Sequence, residues 1–249
     1  MTDPRSCRRT IGVTTWHIRS VGQHGGDVPP VVMVPGLGAG DYLMPHATEL
    51  AATGRLVVVP DMPGFGHSRA PRRCRTVDEF ADALLEFLDG YVGEPVDLIG
   101  NSFGTEIVLA AAARSASAAR RLVLIGPTFD AAARTLPTVF ARWLRIAPKE
   151  PPSLAVSLLR SYAQSGVRTP WFALLAGLND QPEQRIGCVR QPVLLIRGSE
   201  DRIAPAAWLD RLAGLAADAQ TAEVAGAAHT VDYAAPAVAA ALTARFLDG

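Results

Sequence analysis

Gly100-Asn101-Ser102-Phe103-Gly104 constrains this chain more than any other stretch, because it joins two different patterns. Before it stands a short apolar run of strand length, Pro95-Val96-Asp97-Leu98-Ile99, and after it Thr105 to Ala113 reads as a helix. A serine on a tight strand-to-helix turn has its hydroxyl pushed into the open. Both flanking glycines are required, since side chains there would collide with the neighbouring strand and helix.

The rest of the chain repeats the same alternation, the pattern of a mostly parallel sheet covered by helices. Residues 10–19 are predicted as an edge strand or hairpin half, and Val31 to Val34 as a buried strand stopped by Pro35-Gly36. A helix over 41–53 ends at Gly54, and Arg55 to Val59 forms the next strand. The helix over 76–90 carries the clearest signal. Thr76 can cap it, Glu79 stands three residues on, and Val77, Phe80, Ala81, Leu84, Leu85 and Leu88 make its buried stripe. Further strands are expected at 121–126, 192–197 and, weakly, 219–225, with helices near 205–216 and 234–247.

Between 128 and 188 the rhythm breaks. Helices near 136–146, 153–164 and 170–178 follow one another without a strand, punctuated by Pro148, Pro151, Pro152 and Pro170. Helices inserted into such an alternation read as a lid over the strand ends, where α/β sheets bind ligands. The expected division is a core of residues 1–127 and 189–249 with a helical lid over 128–188.

At 249 residues the chain fits one large α/β domain. Its 24 Lys+Arg balance 24 Asp+Glu, which gives no footprint for nucleic acid or an anionic membrane. The cluster Arg72-Arg73-Cys74-Arg75 reads as a solvated loop. Cys7, Cys74 and Cys188 are odd in number and widely spaced, so they suggest neither a disulfide framework nor a zinc site. No cofactor and no metal are expected. Ile11 to Ile18 is interrupted by Thr14, Thr15 and His17, so no secretory or membrane-spanning run is read, and a cytoplasmic location is expected. A homodimer stays open.

A serine hydroxyl is a poor nucleophile until a neighbouring base takes its proton, and that base works best when a carboxylate fixes its tautomer. Asp201 falls just beyond the strand Val193 to Ile196, on the same sheet edge as Ser102, with Glu200 as the rival acid. His229 lies in Gly226-Ala227-Ala228-His229-Thr230, a small-residue loop between the last strand and the last helix. His17 and His24 precede the core sheet, and His46 reads as a surface or packing residue. His67 and Asp61 sit in a Gly-rich loop and read as structural, and Asn101 as a residue that holds the turn.

Four landmarks together resemble an α/β-hydrolase-fold serine hydrolase over essentially the whole length. They are Pro35-Gly36-Leu37-Gly38, Asp61-Met62-Pro63-Gly64-Phe65-Gly66-His67-Ser68, the elbow at Ser102, and the acid and histidine loops. The resemblance implies that Ser102 attacks, His229 shuttles the proton and Asp201 orients His229. It also implies an oxyanion hole from the backbone N–H groups of Leu37 and Phe103. Where the family often has His, this chain has Pro35.

Substrate information comes only from the apolar lid. Gly36, Phe129, Phe140, Trp143, Tyr162 and Trp171 are expected to contact the substrate. The favoured substrate is an ester or thioester with a hydrophobic acyl or aromatic part. The elbow is also similar to that of hydrolases that cleave ring-fission diketones at a C–C bond, which need a cation for the dienoate carboxylate; Arg142, Arg145, Arg160 and Arg168 are the candidates. Their glycine-rich oxyanion loop and a Trp after the histidine are missing, since Thr230 stands there. A biosynthetic acyl transferase or cyclase and a slow ligand receptor of the same fold remain as alternatives.

Overall fold

Alternation of side chains along the central strands divides the core between the two faces of one sheet. A computed structural model describes residues 3–26 and 28–249. Its strands are β1 (Arg5–Ile11), β2 (Thr14–Val21), β3 (Val31–Val34), β4 (Val57–Pro60), β5 (Val96–Asn101), β6 (Ala119–Ile125), β7 (Val193–Gly198) and β8 (Ala219–Val224). They lie in the order β1-β2-β4-β3-β5-β6-β7-β8. The pairs β1–β2 and β2–β4 are antiparallel, and every neighbouring pair from β4 to β8 is parallel.

The helices are α1 (Met44–Ala51), α2 (Val77–Phe87), α3 (Phe103–Arg114), α4 (Leu136–Ile146), α5 (Pro152–Ser165), α6 (Arg168–Leu178), α7 (Pro182–Cys188), α8 (Ala206–Leu215), α9 (Val231–Ala234) and α10 (Pro236–Asp248). Val32, Val34, Leu98, Leu122, Leu124 and Leu195 pack against α2, α3 and α8. Their neighbours Val31, Met33, Ile99, Val123, Ile125 and Ile196 pack with α1 and α10 on the opposite face. Strands buried on both faces become continuous apolar runs, the form in which 31–34 and 193–196 stand in the sequence.

The connections also fix where a ligand can bind. From β3 the chain passes through α1 to β4 on one side, then through α2 to β5 on the other. This reversal leaves a crevice at the carboxyl ends of β3 and β5. Helices α4 to α7 are inserted between β6 and β7, and residues of α4, α5 and α6 gather around Ser102 at that end of the sheet. Among the described residues no helix is long and apolar enough to cross a membrane.

Three local differences have physical causes. The run 10–19 is two strands rather than one, because Gly12 at φ +55° turns the chain between Ile11 and Thr14. A 3-10 turn, Gly40–Leu43, precedes α1, and the helix begins only at Met44. The insertion contains a further short helix, α7, which starts with Pro182 in its first turn.

Helix α2 starts where its capping residues require. Glu79 N–H donates to Thr76 Oγ1 at 3.2 Å and Thr76 N–H to Glu79 Oε2 at 3.3 Å, a reciprocal capping box. Thr76→Ala is expected to lower stability by about 1 kcal/mol, read as a lower midpoint in urea unfolding with an unchanged slope.

Candidate active site

At the end of β5, Ser102 adopts φ 53° and ψ −125°, a left-handed conformation that aims its side chain into the crevice. Its flanking glycines are sterically fixed. A Cβ on Gly104 would lie 2.2 Å from the Val34 carbonyl oxygen of β3, and one on Gly100 would lie 2.6 Å from the Gly104 carbonyl oxygen. Phe103 opens α3, so the positive end of that helix faces the hydroxyl.

Two loops from the far strands meet this serine. A Cβ on Gly198, where β7 ends, would lie 2.1 Å from the Ala228 carbonyl oxygen, so only glycine lets the histidine loop pack on the acid loop. Asp201 Oδ1 accepts the Ile203 and Ala204 N–H groups at 2.7 and 3.0 Å. Its Oδ2 is 2.8 Å from His229 Nδ1, and His229 Nε2 is 2.9 Å from Ser102 Oγ. Burial would raise the Asp201 pKa, but the His229 imidazole and the two backbone donors outweigh it and the carboxyl is held below its ordinary range. For His229 burial would lower the pKa, yet the Asp201, Glu150 and Asp232 carboxylates leave it raised above the usual 6.5.

Beneath the line of three lies a second, fully internal network. Gly36 N–H donates to Tyr42 Oη at 2.7 Å, Tyr42 O–H donates to Asn101 Oδ1 at 2.7 Å, and Asn101 Nδ2 donates to Asp232 Oδ2 at 2.5 Å. His46 Nδ1 completes it, 2.6 Å from Asp232 Oδ1. The network ties the loop after β3 to the elbow and to α9, and Gly36 itself packs against Ser102. His46 is thus a buried packing residue with a carboxylate partner, where the sequence alone indicates only a surface or packing role.

The remaining polar loop residues are structural. Asp61 accepts from Arg19, Gly40 and His67 and lies 3.0 Å from His17 Nδ1. Burial raises its pKa, but His17 and Arg19 outweigh that and hold it at about 2. Glu200 is exposed and paired with Lys149, away from His229.

A cavity of about 170 Å³ opens on Ser102 and His229. Leu37 of the loop after β3 and Phe103 of the elbow line it, with Phe129, Trp143 and Tyr162 from the expected set. Tyr162 also donates to the Leu37 carbonyl at 2.9 Å, fixing that peptide group. Val139 and Ile146 of α4, Leu154 and Leu158 of α5, and Leu174 of α6 complete an apolar wall.

Three expected contacts are corrected. Phe140 and Trp171 are 60% and 50% exposed and stand outside the cavity, because they lie on the outer faces of α4 and α6. Gly36 sits behind Ser102 rather than in the wall. Nor does any arginine reach in. Arg142 donates to Asp130 and to the Ile203 carbonyl, and among the described lining residues none is Lys or Arg. A carboxylate lines the wall instead. Glu150 accepts the N–H groups of His229 and Thr230 at 2.8 and 2.9 Å and the Thr230 hydroxyl.

A serine, a histidine and an aspartate in hydrogen-bonded order at the carboxyl edge of this sheet invite comparison with known proteins. The family model described as alpha/beta hydrolase fold matches residues 29–156. The chain belongs to this family. A 2-hydroxymuconate semialdehyde hydrolase of Pseudomonas sp. (strain CF600) is 31% identical over 214 residues, 71% of each chain. A 2-hydroxy-6-oxo-2,4-heptadienoate hydrolase of Pseudomonas putida is 38% identical over 105 residues, 39% of this chain and 37% of that one. Among solved structures, the enol-lactonase from Burkholderia xenovorans LB400 superposes with a TM-score of 0.80 at 20% identity, covering 98% of this chain and 100% of that one. At that identity the likeness concerns the α/β-hydrolase fold alone.

Proposed function

We propose that this α/β hydrolase cleaves a carboxylic ester or thioester with a hydrophobic acyl or aromatic part. Ser102 attacks the carbonyl, His229 takes its proton and passes it to the leaving group, and Asp201 holds the tautomer that leaves Nε2 free to accept. The backbone N–H groups of Leu37 and Phe103 stabilise the oxyanion, where one lost donor typically costs ~10²–10³ in turnover. Water activated through His229 then releases the acyl group. The insertion over 128–188 acts as the lid, and its inner face forms the acyl pocket.

One observation carries this reading. The hydrogen-bonded line from Ser102 to Asp201 opens on an apolar cavity whose wall, among the described residues, offers a carboxylate and no Lys or Arg. A neutral apolar acyl group suits that wall. The second reading, C–C hydrolysis of a ring-fission diketone, is favoured by the two relatives, whose names specify a semialdehyde and a dienoate. It requires burying a substrate carboxylate near Glu150 without a cation, which is electrostatically unfavourable. Rates on p-nitrophenyl butyrate and octanoate measured beside a 2-hydroxy-6-oxo-dienoate separate the two. Turnover of the dienoate alone would reverse the ranking. Fast steady turnover of the esters also argues against a slow receptor, which would give a single slow acylation.

The titration of His229 gives a further expectation. The base must be neutral to accept the serine proton, so kcat/KM falls as pH drops through its pKa. Because that pKa is raised, the acid limb is expected above pH 6.5. A pH profile of ester hydrolysis that stays flat to below pH 6 contradicts the assignment of His229 as base.

A further inference from the structure

The loop that carries His229 is held from outside the sheet. Its last two backbone donors, His229 N–H and Thr230 N–H, both end on Glu150 Oε1, at 2.8 and 2.9 Å. The Thr230 hydroxyl donates to the other oxygen, Oε2. His229 and Thr230 are buried, so without this carboxylate two backbone donors would be left unsatisfied beside the reacting group. Glu150 comes from the insertion, 79 residues earlier in sequence. It follows the 3-10 turn Ala147–Lys149 and precedes Pro151-Pro152, and fixed φ at those prolines limits where it can point. Its neighbour Lys149 makes a second tie, to Glu200 beside Asp201. Two adjacent residues of the insertion therefore grip both the acid loop and the histidine loop.

We propose that Glu150 is a positioning residue for His229 and that its charge sets the substrate's: neutral acyl groups are accepted and carboxylate-bearing ones rejected. This rests on the reading of Ser102 as the acylated nucleophile. It is distinct from the roles of Ser102, His229 and Asp201, because Glu150 touches the backbone of the base rather than the reacting atoms. Its side chain nonetheless lines the cavity, the one charged side chain that the insertion places there among the described residues. A substrate carboxylate in this apolar space would face that charge at short range with little solvent to screen it.

Two substitutions separate the roles. Glu150→Gln keeps an oxygen that accepts both N–H groups and removes the charge, while Glu150→Ala removes the grip as well. The probes are p-nitrophenyl valerate and mono-p-nitrophenyl glutarate, matched in length and differing in a carboxylate. Wild type is expected to prefer the valerate strongly. Glu150→Gln should narrow that preference roughly tenfold and lose less kcat on valerate than Glu150→Ala does. Glu150→Ala should lower kcat on valerate roughly a hundredfold with KM little changed, and Gln at 150 thereby rescues what Ala loses.

The acid limb supplies a readout that mere structural damage would not move. The charged groups bearing on His229 are Asp201, Glu150 and Asp232. Removing one of these negative charges in Glu150→Gln should shift the limb to lower pH while Asp201 and Asp232 stay in place. An unchanged ester ratio in Glu150→Gln overturns the specificity claim. Wild-type kcat in Glu150→Ala overturns the positioning claim, and an unmoved acid limb in Glu150→Gln overturns the claim that the Glu150 charge reaches the site. Fluorophosphonate labelling distinguishes the levels: a wild-type Ser102 that takes no label removes the hydrolase reading and this proposal together. Normal labelling with indifferent Glu150 variants removes this proposal alone.

Discussion

Ser102→Ala is expected to fold and melt like wild type and to lose roughly a million-fold in kcat on its best ester, the scale of triad knockouts elsewhere. The substitution deletes one oxygen. Its partner at 2.9 Å is a histidine ring nitrogen already fixed on its other side by Asp201, so the loops keep their anchors. The cost therefore falls on chemistry rather than on packing. Residual activity should persist at ~10³–10⁴ over water, from whatever binding and oxyanion stabilisation remain. Near-normal kcat in this variant would mean that another group attacks.

Asp201→Asn should be almost as damaging, with a drop of about 10⁴ in kcat, as for the equivalent change in the serine-protease triad. The reason lies in the two ends of the side chain. Oδ1 accepts two backbone N–H groups, a role an amide oxygen fills, so the amide NH₂ is driven to face His229 Nδ1. A donor there makes Nδ1 the acceptor and places the ring proton on Nε2, where it blocks uptake of the serine proton. Glu200→Gln is the matched control. Glu200 is exposed and paired with Lys149, so its loss should change kcat little. The opposite ranking would move the acid to position 200.

The parts of the site legible in the sequence are those that backbone geometry imposes locally. Gly100 and Gly104 are glycines because neighbouring backbone oxygens lie where a Cβ would go, and that demand is written in five consecutive letters. Asp201 and His229 are legible for a related reason, since each follows a strand on the same sheet edge, a clear one before Asp201 and a weak one before His229. Glu150 leaves no comparable trace. Its partners are 79 and 80 residues away, and its own surroundings read only as a proline-rich turn. The network of Tyr42, Asn101, Asp232 and His46 is equally silent, since its links span up to 186 residues. An amphipathic pattern says that a helix has an apolar face, but not which way that face turns. On α4 apolar side chains occupy both sides, so Val139 and Ile146 line the cavity while Phe140 and Leu144 face solvent. Phe140 is for that reason indistinguishable from Trp143 in the sequence.

Activation of one serine is the claim on which all else depends, and it can be tested without knowing the substrate. The native chain and its His229→Ala variant are treated with a fluorophosphonate probe, digested and mapped by mass spectrometry. A single adduct on Ser102 in the native chain, strongly reduced in the variant, is expected. No adduct on the native chain, or one on another residue that survives loss of His229, would contradict it.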